Sequence, residues 1–382
     1  MSLAAVLEGR EVVVCAGPGG VGKTTSAAAV ALGLAARGKK VVVLTIDPAR
    51  RLAGALGLPE LGNEEHRVDP ERLGAAGIDV PGELWATMLD AKRTWDALVE
   101  RHAPDERTRQ AVLSNRIYRE LSSAVAGSQE YMAMEKLNEL HADGRYDVLV
   151  LDTPPTRNAL DFLDAPERLT RFIDSRSLAF FLKSNRRGMG LLGLGSTALF
   201  SVLRRVTGVD LLEDLAEFFR AFGAMTEGFE ARARAVRALL ESPRTSFLVV
   251  SSPAPEAVEE AVFFHRRLQE TGLPFGAAVV NRVRPLPTPA HDGELEAELA
   301  TLLDPALARR VMTNVADLTA LAERDAVGIE RLRSELGAGP MLLVPELSDD
   351  VHDLRGLVEM QGQLFGSSPA AGSARAPQTG AE

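Results

Sequence analysis

Residues Val12 to Ala29 read VVVCAGPGGVGKTTSAAA, and no other stretch restricts the fold as much. The uncharged, β-branched run up to Ala16 predicts a strand buried on both faces. The alanine-rich residues after Lys23 predict a helix to about Arg37, with Gly38 as the left-handed residue that ends it. Between them Gly17 to Thr24, GPGGVGKT, satisfies G-x-x-x-x-G-K-[ST] in the strand–loop–helix setting that gives this pattern its meaning. Glycines let backbone N–H groups converge on phosphate oxygens, and the helix N-terminus adds partial positive charge. Gly19, Gly20, Val21, Gly22, Lys23, Thr24 and Thr25 are therefore assigned to nucleotide phosphates. Lys23 reaches the β- and γ-phosphates, and the Thr24 hydroxyl ligates Mg²⁺. Pro18 is the odd residue of the loop: it carries no charge and no N–H, and its φ is held near −65°.

Short apolar strands alternate with helices along the rest of the chain. Strands are expected at Glu11–Ala16, Val41–Ile46, Leu84–Leu89, Val148–Leu151, Phe247–Ser251, Ala277–Val280 and Met341–Val344. This order predicts an α/β fold with a doubly wound, mostly parallel sheet and ligands beyond the carboxyl ends of its strands. Two helical segments, about Ala91 to His141 and Ala165 to Leu240, exceed simple crossovers and predict a helical insertion. The expected division is a nucleotide core of residues 1–90, 145–165 and 241–365, a helical subdomain of 91–144 and 166–240, and a disordered tail of 366–382 rich in Ser, Ala, Pro and Gly. Within the insertion, Gly188 to Leu203 mixes Leu and Phe with Gly and Ser between arginine pairs. It reads either as a loosely packed hairpin or as a mobile surface for apolar clients. The stripe Leu211, Leu215, Phe218, Phe222, Met225 and Phe229 has helical spacing and reads as packing.

Composition removes several functions. A net charge of −10 argues against a general nucleic-acid binder, which needs a basic surface. Six scattered histidines and one cysteine give no ligand spacing for zinc. Cys15, in the first strand, reads as a small buried hydrophobe. No apolar run reaches the ~18 residues of a spanning helix and no leader pattern opens the sequence, so the expected location is the cytoplasm.

The motifs GGVGKTT, LTIDPARRLAGALG and YDVLVLDTPPTRNALDFL, in this order, resemble the ArsA/Get3 family of ATPases. These belong to the deviant-Walker P-loop class that also holds the MinD and ParA proteins. The resemblance runs from about Val12 to Arg355. It implies an ATP- and Mg²⁺-dependent dimer whose helical subdomain opens and closes with nucleotide, powering arsenite efflux or carrying tail-anchored membrane proteins. TIDPA resembles the first switch, making Asp47 the group that positions or deprotonates the attacking water; locally, a carboxylate before Pro48 also suits a helix N-cap. VLVLDTPPT resembles the second switch, where Asp152 approaches Mg²⁺ through water. Arg157 and Asn158 stand where the family usually has Gly-His. AAVVNRV resembles the strand end whose asparagine contacts adenine, so Asn281 is a base-binding candidate, with a strand-end turn residue as the bland reading. LVPELSDDVHDLRGL resembles the segment over the adenine ring, which nominates Pro345. GSQEYMAMEKL resembles a helix at the base of the client-binding subdomain, with Glu130 an inter-switch contact.

Two family features are missing. The C-x-x-C that shares zinc across a dimer cannot be present with one cysteine. Pro18 occupies the place of a second lysine that reaches the partner's phosphates, so a paralogous ATPase in a heterodimer, or Arg50 or Arg51 in this chain, is a substitute cation. The sequence-level conclusion is a Mg²⁺-dependent ATPase that moves a helical subdomain engaging a hydrophobic client or membrane-protein partner. An arsenite-pump ATPase, a ParA-like positioning ATPase and a non-hydrolysing scaffold stand as alternatives.

Overall fold

A computed structural model describes residues 2–46, 51–116, 118–119, 128–154, 226–286, 292–347, 351 and 353–366. Its strands are β1 (Val12–Ala16), β2 (Lys40–Thr45), β3 (His66–Arg67), β4 (Glu83–Met88), β5 (Val148–Asp152), β6 (Thr245–Ser251), β7 (Phe275–Val283) and β8 (Met341–Pro345). They form one sheet in the order β3-β4-β2-β5-β1-β6-β7-β8. Every pairing is parallel except that of β3 with β4. The fold is the expected α/β arrangement.

The apolar run of β1 makes it a central strand, because both its faces must be covered. Val12, Val14 and Ala16 enter the core on one face, and Val13 and Cys15 enter the core on the other. This is the two-residue alternation of a pleated strand. Helices Ala91–His102, Ser128–Asp143, Thr226–Glu241, Pro255–Thr271 and Pro305–Leu336 contribute to the first core. Helices Lys23–Ala35 and Leu354–Phe365 lead the second. A Cβ at Gly33 would sit 2.2 Å from the Phe365 ring, so glycine there lets these two helices touch. Across the sheet, β5, β2 and β4 lie to one side of β1, and β6, β7 and β8 to the other. The chain order reverses at β1, and the crevice at such a reversal is where α/β sheets bind ligands.

Differences from the expected elements have local causes. The two-residue β3 has no apolar run to announce it, and it exists by pairing with Trp85 and Ala86 of β4. Strand β7 extends beyond Ala277–Val280 at both ends and takes in Asn281 and Arg282. The segment from Ala91 to His141 is broken into Ala91–His102, Glu106–Ser114 and Ser128–Asp143. Pro104 drives Ala103 to an extended ψ of 133°, and Asp105 restarts a helix by accepting from the Thr108 N–H at 2.7 Å. Gly38 has the expected positive φ, +83°. The segment Gly188–Leu203, the stripe from Leu211 to Met225, Arg157, Asn158 and the residues after Gly366 lie outside the described residues. No described helix is long and apolar enough to cross a membrane.

Candidate functional site

The loop after β1 has little room for side chains. Gly17 has φ +154°, and a Cβ there would fall 2.0 Å from the Val250 carbonyl oxygen of β6. Gly22 has φ +92°, and a Cβ would meet the Asn281 amide nitrogen at 2.4 Å. From Gly22 the helix begins at once. Its first bond runs from the Ser26 N–H to the Gly22 carbonyl at 2.8 Å, so the N–H groups of the helix's first turn point toward the loop. These are the donors an anion takes up. Lys23 is buried, and its ammonium folds back into the loop to donate to the Pro18 carbonyl at 2.7 Å. Thr24 and Thr25 are half-buried in the first turn, while Gly19 and Gly20 are exposed at the loop's tip.

Parallel register brings the second element of the site alongside. Asp152 ends β5 opposite Cys15 of β1 and Thr45 of β2. It is fully buried, and its Oδ2 accepts from the Thr45 hydroxyl at 2.9 Å. The Ile46 N–H donates to the Asp152 carbonyl at 3.1 Å, and both the N–H and the hydroxyl of Thr153 donate to the Cys15 carbonyl. Three strand ends are thereby tied beside the loop. Asp47 follows Ile46 directly but lies outside the described residues, as does Arg50. Arg51 opens a short helix, Arg51–Ala55, and is exposed. Burial, reinforced by the Asp152 carboxylate, pushes the Cys15 thiol far above its ordinary range and keeps it neutral.

The third element comes from the far side of β1. Asn281 is buried in β7, and its Nδ2 donates to the Val21 carbonyl at 2.9 Å. Arg282 reaches the neighbouring Gly20 carbonyl at 3.3 Å. Pro345 ends β8 in register with Val283, so it also stands at the carboxyl edge of the sheet. On the opposite side, Gln129 donates to the Ile46 carbonyl at 3.0 Å. Glu130, expected as an inter-switch contact, is the next residue in the first turn of the Ser128–Asp143 helix. Thr45, Gln129 and Arg282 lie within the quoted motifs but take their roles only from the assembled site.

A separate cavity of about 500 Å³ lies among the helices Ala91–His102, Ser128–Asp143 and Thr226–Glu241, and its lining contains no residue of the loop. Each arginine in its lining faces a carboxylate: Arg101 to Glu139 at 3.7 Å, Arg145 to Glu65 at 2.6 Å and Arg232 to Glu135 at 2.8 Å. Such balanced charge selects no ligand class.

A parallel sheet with a glycine-rich loop leaving its reversal point, a lysine folded into that loop and a buried aspartate on the next strand define a P-loop nucleoside triphosphatase. Residues 10–300 match the family model of the anion-transporting ATPases, and the chain belongs to that family, the ArsA/Get3 ATPases. Among its relatives is "Putative arsenical pump-driving ATPase 1" of Aquifex aeolicus, 25% identical over 94% of this chain and 79% of that protein. The "ATPase ASNA1 homolog" of Cryptosporidium parvum is 26% identical over 74% of this chain and 68% of its own length. The "ATPase GET3" of Malassezia globosa is 30% identical over 42% of this chain and 43% of its own length.

Proposed function

We propose that this chain hydrolyses ATP with Mg²⁺ and couples hydrolysis to movement of the helical segments 91–144 and 166–240, which engage a hydrophobic client or a membrane-protein partner. It works in the cytoplasm as a homodimer or with a paralogous ATPase. The observation that carries this reading is the buried Lys23 ammonium held 2.7 Å from the Pro18 carbonyl, inside a glycine-rich loop that runs straight into a helix N-terminus. Lys23 exchanges that carbonyl for the β- and γ-phosphates, and the N–H groups of the helix start bind the same oxygens. Asp47 accepts the proton of the attacking water. Asn281 and Pro345 flank the adenine.

Mg²⁺ prefers hard oxygen ligands and keeps several waters, so it needs no all-protein cage. The Thr24 hydroxyl and the Asp152 carboxylate, the latter oriented by Thr45, fit that preference and would hold it with the nucleotide. Bound there, the ion would supply positive charge to offset the negative charge of the phosphates.

Coupling to the helices is supported by the bond from Gln129 to Ile46, next to Asp47. The same helix carries Glu135, which accepts from Tyr131 and pairs with Arg232 of Thr226–Glu241. A shift of Asp47 on hydrolysis thus has a bonded route into two helices. The test is hydrogen exchange of Gly188–Leu203 with and without Mg²⁺ and a non-hydrolysable ATP analogue. Protection that changes with nucleotide is expected; uniform strong protection in both states sinks the client reading.

The name of the Aquifex relative favours a second reading, an ATPase that drives an arsenite pump. Trivalent arsenic binds converging thiolates, whereas Cys15 is the chain's one cysteine and its thiol is buried and neutral. Arsenite is expected to leave turnover unchanged. Stimulation by arsenite that disappears in Cys15→Ser would promote the pump reading.

A further inference from the structure

The chain bends to bring Arg282 to the phosphate loop. Arg282 has φ +59° and is the one non-glycine among the described residues with positive φ. A side-chain-bearing residue pays for that conformation, and such outliers collect where the local backbone serves a site. The register between β7 and β8 shifts between Val280 and Val283, so Asn281 and Arg282 occupy a bulge, a device that re-aims side chains. Both are aimed at the same target. Asn281 takes the Val21 carbonyl at 2.9 Å, and the Arg282 guanidinium takes the Gly20 carbonyl at 3.3 Å.

A trans peptide points its N–H opposite its C=O. Holding the carbonyls of Gly20 and Val21 toward β7 therefore turns the N–H groups of Val21 and Gly22 away from β7, as a loop that receives an anion requires. The guanidinium also brings charge. Pro18 offers the loop neither an N–H nor a cation, and Lys23 is the only basic residue from Gly17 to Thr25. Arg284, two positions on, is held in ion pairs with Asp325 and Glu346, but among the described residues no carboxylate pairs with Arg282. Its positive charge stays available at the exposed tip formed by Gly19 and Gly20.

We propose that Arg282 is a nucleotide-affinity residue: from the β7 bulge it holds the phosphate loop in its anion-binding form and supplies a second positive charge beside Lys23. This rests on the reading of the loop as an ATP site. The experiment is MgATP binding at low and high salt by the full chain and by Arg282→Gly, Arg282→Gln and Arg282→Lys. Glycine adopts φ +59° without strain, so Arg282→Gly is expected to melt no lower than wild type while binding MgATP about tenfold or more weaker, as loss of a charged hydrogen-bonding partner implies. Arg282→Gln is expected to show the same loss at low salt and a smaller one at high salt, with Arg282→Lys recovering part of it. Wild-type affinity in Arg282→Gly, or a loss in Arg282→Gln that neither salt nor lysine alters, overturns the proposal while leaving the ATP site intact. A wild type that binds no MgATP would instead sink the ATP-site reading itself, and this proposal with it.

Discussion

Asn281 in β7 donates its amide N–H to the carbonyl of Val21 at 2.9 Å, joining two residues 260 positions apart in the chain. The same amide presses against Gly22, where any side chain would collide with it. One residue therefore braces the phosphate loop and excludes substitution at its last glycine. Asn281→Ala would remove the donor and leave the buried Val21 carbonyl without it. A loss of about 1–3 kcal/mol is expected, measured by urea unfolding. The proposed adenine contact makes a separate prediction: the wild type binds ATP more tightly than GTP. Equal affinity for the two would remove Asn281 from base recognition and leave it the brace alone.

Lys23 and Asp47 are expected to fail at different steps. Lys23→Ala deletes the ammonium inside the loop, so MgATP binding and turnover fall together. Asp47→Asn keeps the shape and removes the base, so nucleotide still binds while turnover drops about 10²-fold or more. Binding titrations beside single-turnover hydrolysis separate the two. An Asp47→Asn enzyme as fast as wild type would take the base role from this residue.

Gly17→Ala is a prediction about packing before it is one about catalysis. The new methyl carbon would lie 2.0 Å from the Val250 carbonyl oxygen, a backbone atom in a central strand that cannot swing aside. Destabilisation of roughly 3 kcal/mol or more is expected, within the range of severe core overpacking combined with backbone strain. Thermal melts of the variant without nucleotide would read it. An unchanged melting temperature would mean that β1 and β6 separate more readily than their register implies.

Acid should weaken the fold partly through His265. This ring is buried against Phe275 with centroids 4.5 Å apart, and burial lowers its pKa below the ordinary histidine range. In the unfolded chain it regains a pKa of about 6.5. Between the two values the unfolded state binds more protons, so stability rises with pH and is lost as pH falls from about 6.5 through the folded pKa. His265→Leu is expected to flatten that part of the stability profile, measured by denaturant midpoints from pH 7.5 to 5. A profile as steep in the variant as in wild type would assign the slope to other groups.

The phosphate loop, the parallel strands and the placing of Asp152 were legible in the residues because their chemistry is local. GPGGVGKT needs only a strand before it and a helix after it, and both are written in the adjoining Val and Ala runs. Aspartate at the end of VLVLD needs only the parallel register that such buried runs impose. The helix break at Pro104–Asp105 is local as well, since proline bars its predecessor from helix and aspartate caps the next one. Other features belong to the assembled sheet. β3 consists of two exposed residues and exists by virtue of its neighbour. Gln129 meets Ile46 because of where the helix starts. Arg282 lies within AAVVNRV, yet nothing in that motif gives it a role: its bulge is set by the shifted pairing of β7 with β8, and its target lies 262 positions back in the chain. Local sequence encodes which backbone each segment prefers. Which side chains then meet across the crevice depends on strand order and register, and these are decided only when the whole sheet packs.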